Sequence, residues 1–110
     1  MKLFSQEAKV MTAYLIANYK ITNPEEYESY VPAVMPTLGA HGAEVLVADY
    51  ETEVLEGAPS NVSVVLRFPS KEAARSWYNS PEYQAIIHHR TDNTEGFLVF
   101  ADQFTLPNDN

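Results

Sequence analysis

The chain has 110 residues, a length that suits one domain with a single hydrophobic core. Its 15 acidic and 7 basic side chains give a formal net charge of -8, which argues against nucleic acids and anionic membranes as partners. Cysteine is absent, which excludes disulfides, thiolate zinc sites, iron–sulfur clusters and a cysteine nucleophile. The N-terminal sequence has no secretory signal pattern, and we expect a cytoplasmic protein.

The first part of the chain is predicted to form a strand followed by an interrupted helix. Residues 12–21 are rich in β-forming residues and apolar on both faces, as in a strand covered on each side. Asn23 then suits the N-cap of a helix, and Pro24 its first position. Because each proline removes a helical hydrogen bond, Pro32 and Pro36 are expected to bend or break this helix.

Two strands are predicted to follow in succession. Residues 43–50 and 62–68 are β-forming runs, and the turn-rich stretch 56–61 between them favours a hairpin. Alternation in the second run gives one apolar face, expected toward the helices, and an opposite face that carries Ser63 and Arg67.

The segment FPSKEAARSWYNSPEYQAIIHHR, residues 68–90, predicts two short helices rather than one long helix. Ser70 suits the N-cap of the first, and Ser80 followed by Pro81 repeats the pattern of an N-cap and an N1 proline. Residues 96–104 are expected to form the last strand.

The predicted order β-α-β-β-α-β is that of an α+β, ferredoxin-like fold, in which the helices cover one face of a four-stranded antiparallel sheet. The last strand is apolar on both faces, so the helix-free face also needs a cover. A second copy of the chain would supply it, and we expect a homodimeric α/β barrel with a small-molecule cavity. The prediction is one domain at residues 12–104, between a flexible arm, residues 1–11, and a flexible tail, residues 105–110.

Several of these motifs together resemble the DUF1330 family of uncharacterised small proteins. They are the segment 68–90 quoted above, the preceding NPEEYESY and the LEG at residues 55–57. The resemblance extends over residues 12–104. Its most specific part consists of Phe68, Pro69, Ser70, Ala74, Trp77, Tyr78, Ser80, Pro81, Tyr83 and Arg90.

The resemblance implies a ferredoxin-like fold of the dimeric α/β-barrel group and no established reaction. Other members of that wider group are cofactor-independent monooxygenases, small isomerases and ligand-sensing domains, so the fold alone does not select a chemistry. The family commonly has a Gly-Gly-basic stretch where this chain has Gly42, Ala43 and Glu44. An anion-binding role of that basic position therefore does not transfer to this chain.

Two arginines are candidate ligand contacts. Arg67 lies at an inward-facing strand position, where a cation needs an anionic or backbone partner. An ion pair with Glu44 or Glu56 is the alternative for Arg67. Arg90 could either bind a carboxylate or cap the carbonyls of the second short helix, which it is predicted to follow.

Three further side chains complete the predicted ligand site, and one histidine is the catalytic candidate. Tyr14 and Asn18 share a face of the first strand and join Arg67 in the cavity if that face is free of helices. Trp77 either contacts the ligand or holds the second helix to the sheet. His41 is the general-base candidate, and the alternative is that it only tolerates an unusual turn geometry.

No metal site and no cofactor are predicted. His88 and His89 are adjacent and cannot share a helix face, while His88 and Asp92 lack a third ligand. Phosphate-loop, serine-elbow and dinucleotide motifs are absent from the sequence.

Three functions stay open on the sequence alone. The leading hypothesis is a homodimer that binds a small anionic or aromatic metabolite in a barrel cavity. The second is a cofactor-independent monooxygenase or isomerase for a phenolic or quinone-like substrate, which needs a base beside a water-poor cavity. The third is a structural dimer with a filled core and no ligand.

Overall fold

The computed structural model describes residues 11–107. Residues 1–10 of the predicted arm and residues 108–110 of the predicted tail lie outside the described residues. The elements in chain order are β1 (Ala13–Ile21), α1 (Pro24–Tyr27), α2 (Tyr30–Ala40), β2 (Glu44–Asp49), β3 (Val62–Phe68), α3 (Lys71–Tyr78), α4 (Pro81–Gln84), α5 (His88–Thr91) and β4 (Thr94–Asp102). The predicted α+β, ferredoxin-like fold is confirmed.

The four strands form one antiparallel sheet in the order β2-β3-β1-β4. Each half of the chain contributes an inner strand first and an edge strand second, with helices between them. β1 therefore pairs on one side with β3 and on the other with β4, where Ala13 lies opposite Phe68 and Asp102, respectively. This central position makes β1 the strand that both halves share.

The register divides the side chains of the inner strands between two faces. The helix-covered face of β1 carries the buried residues Ala13, Leu15, Ala17 and Tyr19. The helix-free face carries Tyr14, Ile16 and Asn18, which lie opposite Arg67, Val65 and Ser63 of β3. The predicted alternation of β3 is therefore confirmed.

The edge strand β2 is irregular. Its register with β3 shifts between Val45 and Val47, so that Leu46 has no counterpart in β3. A bulge of this kind is common on edge strands, where it interrupts the ladder.

The predicted helix after β1 is broken, but the break precedes Pro32. Asn23 caps α1 by accepting a hydrogen bond from the backbone nitrogen of Glu26 at 3.4 Å. In a continuous helix the ring of Pro32 would collide with the carbonyl of Glu28, four residues earlier. The turn at residues 28–29 avoids this clash, and Pro36 lies inside α2 without ending it.

The two short helices predicted after β3 are confirmed, and a third one follows them. Ser70 accepts a hydrogen bond from the backbone nitrogen of Ala73 at 3.0 Å, and Ser80 accepts one from that of Tyr83 at 3.2 Å. Arg90 follows the second short helix, as predicted, but it lies within the third one, α5. No helix within residues 11–107 has the length and apolar character needed to cross a membrane.

Two glycines allow a matched test of how closely β4 approaches β1. A Cβ on Gly96 would lie 2.2 Å from the backbone oxygen of Asn18 and 2.5 Å from the Cα of Tyr19, whereas a Cβ on Gly39 would meet no described atom within 4 Å. We expect Gly96→Ala to lower the free energy of unfolding by about 1–3 kcal/mol or more. Gly39→Ala, within α2, should raise it by about 0.5–1 kcal/mol.

Urea unfolding of both variants at one fixed protein concentration measures these changes. Equal effects of the two substitutions would contradict the close approach of the two strands.

Candidate functional site

An apolar cavity of about 100 Å³ lies between the helix-covered face of the sheet and the helices α1 and α2. Its inner wall consists of buried aliphatic side chains, including Leu15, Val34 and Leu38. The partly exposed Met35 of α2 and Val45 of β2 also line it. The cavity therefore opens toward solvent between α2 and the edge strand β2.

Three tyrosine hydroxyls form a hydrogen-bonded row that we call the tyrosine triad. The hydroxyl oxygens of Tyr19 and Tyr27 are 2.7 Å apart, and those of Tyr27 and Tyr50 are 3.3 Å apart. Tyr19 and Tyr27 are buried, while Tyr50 is exposed. The triad therefore runs from the core of the protein to the open side of the cavity.

A second polar group, the arginine cluster, consists of Arg90, Tyr83 and Tyr30. The Nε of Arg90 donates a hydrogen bond to the Tyr83 hydroxyl at 3.3 Å, and the hydroxyl oxygens of Tyr83 and Tyr30 are 2.7 Å apart. Arg90 is only 7% exposed and lines the cavity. The ion pairs among residues 11–107 are formed by Arg67 and Lys71, so this buried guanidinium has no carboxylate partner in that range.

Local sequence signals explain the position of the arginine cluster. Ser80 and Pro81 restart the helix after α3, which brings Tyr83 into the first turn of α4. The indole of Trp77 packs against the Tyr83 ring with centroids 4.1 Å apart. The short helix α5 then returns Arg90 to the Tyr83 hydroxyl.

Burial decides the protonation of these groups. Burial raises the pKa of the Tyr27 hydroxyl well above its usual range, and hydrogen bonds with Tyr19 and Tyr50 raise it further. Burial also raises the pKa of Tyr19 and of Tyr30. For Arg90, burial lowers the pKa, but the neighbouring Tyr83 and Tyr30 outweigh this effect and the net shift is upward. The cavity therefore presents the neutral phenols of Tyr19, Tyr27 and Tyr30 and one permanent cation.

A family model supports the resemblance noted in the sequence. The model of the domain of unknown function DUF1330 matches residues 12–104. The chain belongs to the DUF1330 family. A search of curated proteins gives no significant match to this DUF1330 protein.

Solved structures share its fold at low sequence identity. The RPA0582 protein of unknown function from Rhodopseudomonas palustris has 16% identity and a TM-score of 0.75, over 96% of this chain and 94% of that one. SnoaB, a cofactor-independent oxygenase from Streptomyces nogalater, has 14% identity and a TM-score of 0.59, over 90% of this chain and 100% of SnoaB. A dimeric protein of unknown function and ferredoxin-like fold from Bacteroides fragilis has 14% identity and a TM-score of 0.51, over 84% of this chain and 96% of that one.

The ligand contacts predicted from the sequence lie on opposite sides of the sheet in this DUF1330 protein. Trp77 and Arg90 line the cavity under the helices. Tyr14, Asn18 and Arg67 lie together on the helix-free face, which is the face expected for Arg67. The five side chains therefore do not form one site within a single chain.

Two residues of the helix-free face have partners within the chain. Arg67 is half-exposed and donates from Nε to Oε1 of Glu44 at 3.0 Å, which is the ion-pair alternative considered from the sequence. The hydrogen bond with Glu44 and its negative charge raise the pKa of Arg67. Asn18 donates from Nδ2 to the carbonyl of Ser60 at 3.0 Å and accepts from the Ser60 nitrogen at 2.8 Å. This amide therefore holds the β2–β3 connection against the sheet.

His41 lies at the C-terminal end of α2 and is not among the residues that line the cavity. Its Nδ1 is 3.0 Å from the carbonyl oxygen of Thr37. Because a carbonyl can only accept a hydrogen bond, this contact places the imidazole proton on Nδ1. A catalytic role of His41 stays a prediction and would concern a site other than this cavity.

The sequence analysis did not identify the tyrosines whose hydroxyls meet in and beside the cavity. Tyr27 and Tyr30 follow each other at i, i+3 on the buried helix face, a spacing that indicated burial but not which hydroxyls would meet. Tyr19, Tyr50 and Tyr83 come from three other parts of the chain. Only the tertiary structure shows that the five hydroxyls form two groups.

The tyrosine triad predicts a loss of stability at high pH. The pKa of Tyr27 is higher in the folded state than the value of about 10 in the unfolded chain. The stabilisation from the neutral phenol is therefore complete below about pH 10 and is lost as the pH rises above it. We expect the free energy of unfolding to fall between about pH 10 and 12, with a smaller slope in Tyr27→Phe.

Urea unfolding across this pH range measures the slope for wild type and variant. Identical slopes in the two proteins would contradict a buried, neutral Tyr27 hydroxyl.

Proposed function

We propose that this DUF1330 protein is a homodimer in which each chain binds a small anionic or aromatic metabolite in the cavity under α1 and α2. One observation carries the proposal. Arg90 is a buried cation that faces an apolar cavity and has no carboxylate partner among the described residues. A desolvated cation is unfavourable unless an anion or several acceptors compensate it, and a bound anion would do so.

The apolar wall supports an aromatic body for the ligand. Aliphatic side chains from β1, α2 and β3 supply most of the surface, and Trp77 adds an aromatic ring. Small-molecule sites typically combine such a wall with a few polar groups that orient the ligand. The tyrosine triad, Tyr30 and Arg90 are the polar groups that orient a ligand in this cavity.

A cofactor-independent monooxygenase or isomerase for a phenolic or quinone-like substrate is the second proposal. The fold similarity to SnoaB favours it. Such a reaction needs a group that removes a proton. Among the described residues that line the cavity, the ionisable ones are Arg90 and four tyrosines, Tyr19, Tyr27, Tyr30 and Tyr50. Because burial raises the pKa of Tyr19, Tyr27 and Tyr30, these three phenols are protonated at neutral pH and do not act as bases, and binding is the better supported function.

The helix-free face of the sheet supports the homodimer. Ile16, Phe97 and Val99 lie side by side on it and are 39%, 54% and 48% exposed. An apolar surface of this kind on a flat sheet is typical of an interface. A second copy of the chain fits it, because two such sheets can pack face to face, and the similar protein from Bacteroides fragilis is described as dimeric.

We expect sedimentation at micromolar concentration to give twice the chain mass of 12.4 kDa. Val99→Glu should shift the protein toward the monomer, because it would bury a charge between the two sheets. Ser76→Glu is the matched control, since it adds the same charge on the exposed side of α3. A wild-type protein that sediments at the mass of one chain would contradict the dimer.

A thermal-shift screen with small carboxylates, phenols and quinones at millimolar concentration tests ligand binding. A ligand at about a hundred times its Kd adds roughly 2.7 kcal/mol and raises the Tm by several degrees. Ala48 lines the cavity, and we expect Ala48→Trp to fill the opening and abolish the rise. Ala85→Trp makes the same change on an exposed helix end away from the cavity and should retain the rise. A screen without any rise, on a folded dimer, would instead favour the structural dimer without a ligand.

A further inference from the structure

The guanidinium of Arg90 has more donors than its protein neighbours use. A guanidinium carries five N–H groups. Within residues 11–107, its side-chain hydrogen-bond partners are two phenols: Tyr83, to which Nε donates at 3.3 Å, and Tyr30. The same residue lines the cavity, and no buried side-chain nitrogen or oxygen of this part of the chain lacks a partner. The remaining donors of Arg90 are therefore accessible from the cavity.

We propose that the ligand is a monoanion with an apolar body of about one ring, and that its charged group binds to Arg90. This inference rests on the proposed function, because it assumes that the cavity is a ligand site. A planar carboxylate is the group that a guanidinium binds best, since two parallel N–H donors can meet its two oxygens.

The hydroxyls beside Arg90 add a further donor for such an anion. The Tyr83 oxygen accepts a hydrogen bond from Arg90 and also contacts the Tyr30 oxygen. Two hydroxyls carry two protons, and the bond between them uses one. The second proton is left for a third acceptor, which an oxygen of the bound anion can provide.

The electrostatics of the cavity limit the ligand to one negative charge. Arg90 is the only cationic side chain among the described residues that line it, and the phenols of Tyr19, Tyr27 and Tyr30 are neutral. A second negative charge would lie against the aliphatic wall without a partner, at a large desolvation cost. The net charge of -8 also disfavours multiply charged anions at long range.

The volume limits the body of the ligand. A water molecule needs roughly 10–15 Å³ of this cavity volume, so the space holds about seven to ten water molecules. One six-membered ring with a small substituent is of this size. Benzoate therefore represents the proposed class, and benzamide is its uncharged counterpart of the same shape.

Calorimetric titration of the full chain with benzoate and with benzamide tests the charge requirement. We expect benzoate to bind at least about thirtyfold more tightly than benzamide. Arg90→Gln should remove this difference, and Arg90→Lys should restore part of it. Arg75→Gln, which removes a positive charge from the exposed side of α3, is the control and should leave both affinities unchanged.

The comparison of the two probes on wild type decides the question even if Arg90→Gln does not fold. Equal binding of benzoate and benzamide, or benzoate binding that Arg90→Gln leaves unchanged, would overturn the monoanion assignment. If neutral rings bind and Ala48→Trp blocks them, the proposed cavity site stands while this inference fails. If no probe of either kind binds the folded wild type, both are wrong.

Discussion

The indole of Trp77 is the contact on which the helical layer depends. It is almost fully buried, and its ring packs on Phe68 of β3 with centroids 5.5 Å apart and on Tyr83 of α4 with centroids 4.1 Å apart. Its Nε1 donates to the Thr37 hydroxyl of α2 at 2.9 Å. One side chain therefore fixes three helices, α2, α3 and α4, relative to the sheet, and its single polar atom is satisfied despite burial. Loss of this indole would therefore displace several walls of the cavity at once, and not only remove a single contact.

Arg90 depends on this arrangement through Tyr83. Because Trp77 holds the Tyr83 ring, the Tyr83 hydroxyl has a defined position, and it accepts the hydrogen bond that orients the guanidinium. A buried cation is usually unfavourable, and among residues 11–107 it has phenolic neighbours instead of a carboxylate. Neutral phenols stabilise the charge less than a carboxylate would, and in the proposed function a bound anion compensates the rest. A carboxylate of the chain at this place would take the position of that anion.

The sequence predicts the fold better than the site, and the reason is physical. Caps, prolines and alternation are local signals, so Ser80 and the face of Arg67 could be assigned from their neighbours in the chain. The cavity depends on contacts between distant segments, such as the Tyr30 and Tyr83 hydroxyls, which are 53 residues apart. Arg67 was the more prominent cation in the sequence because it interrupts an apolar strand, but Glu44 pairs with it. Arg90 was harder to interpret because the third short helix, which buries it, carries no side-chain cap.

One extra residue in the edge strand changes which residues of β2 lie on each face of the sheet. In a regular strand, residues three positions apart point to opposite faces. The register shift around Leu46 instead puts Val45 and Ala48 on the same side, opposite Leu66 and Val64, where both line the cavity. Glu44 and Val47 consequently share the helix-free face, where Glu44 meets Arg67. Strict alternation would have turned either Val45 or Ala48 toward the helix-free face. The bulge therefore keeps both residues at the open side of the cavity, while Glu44 still pairs with Arg67 on the opposite face.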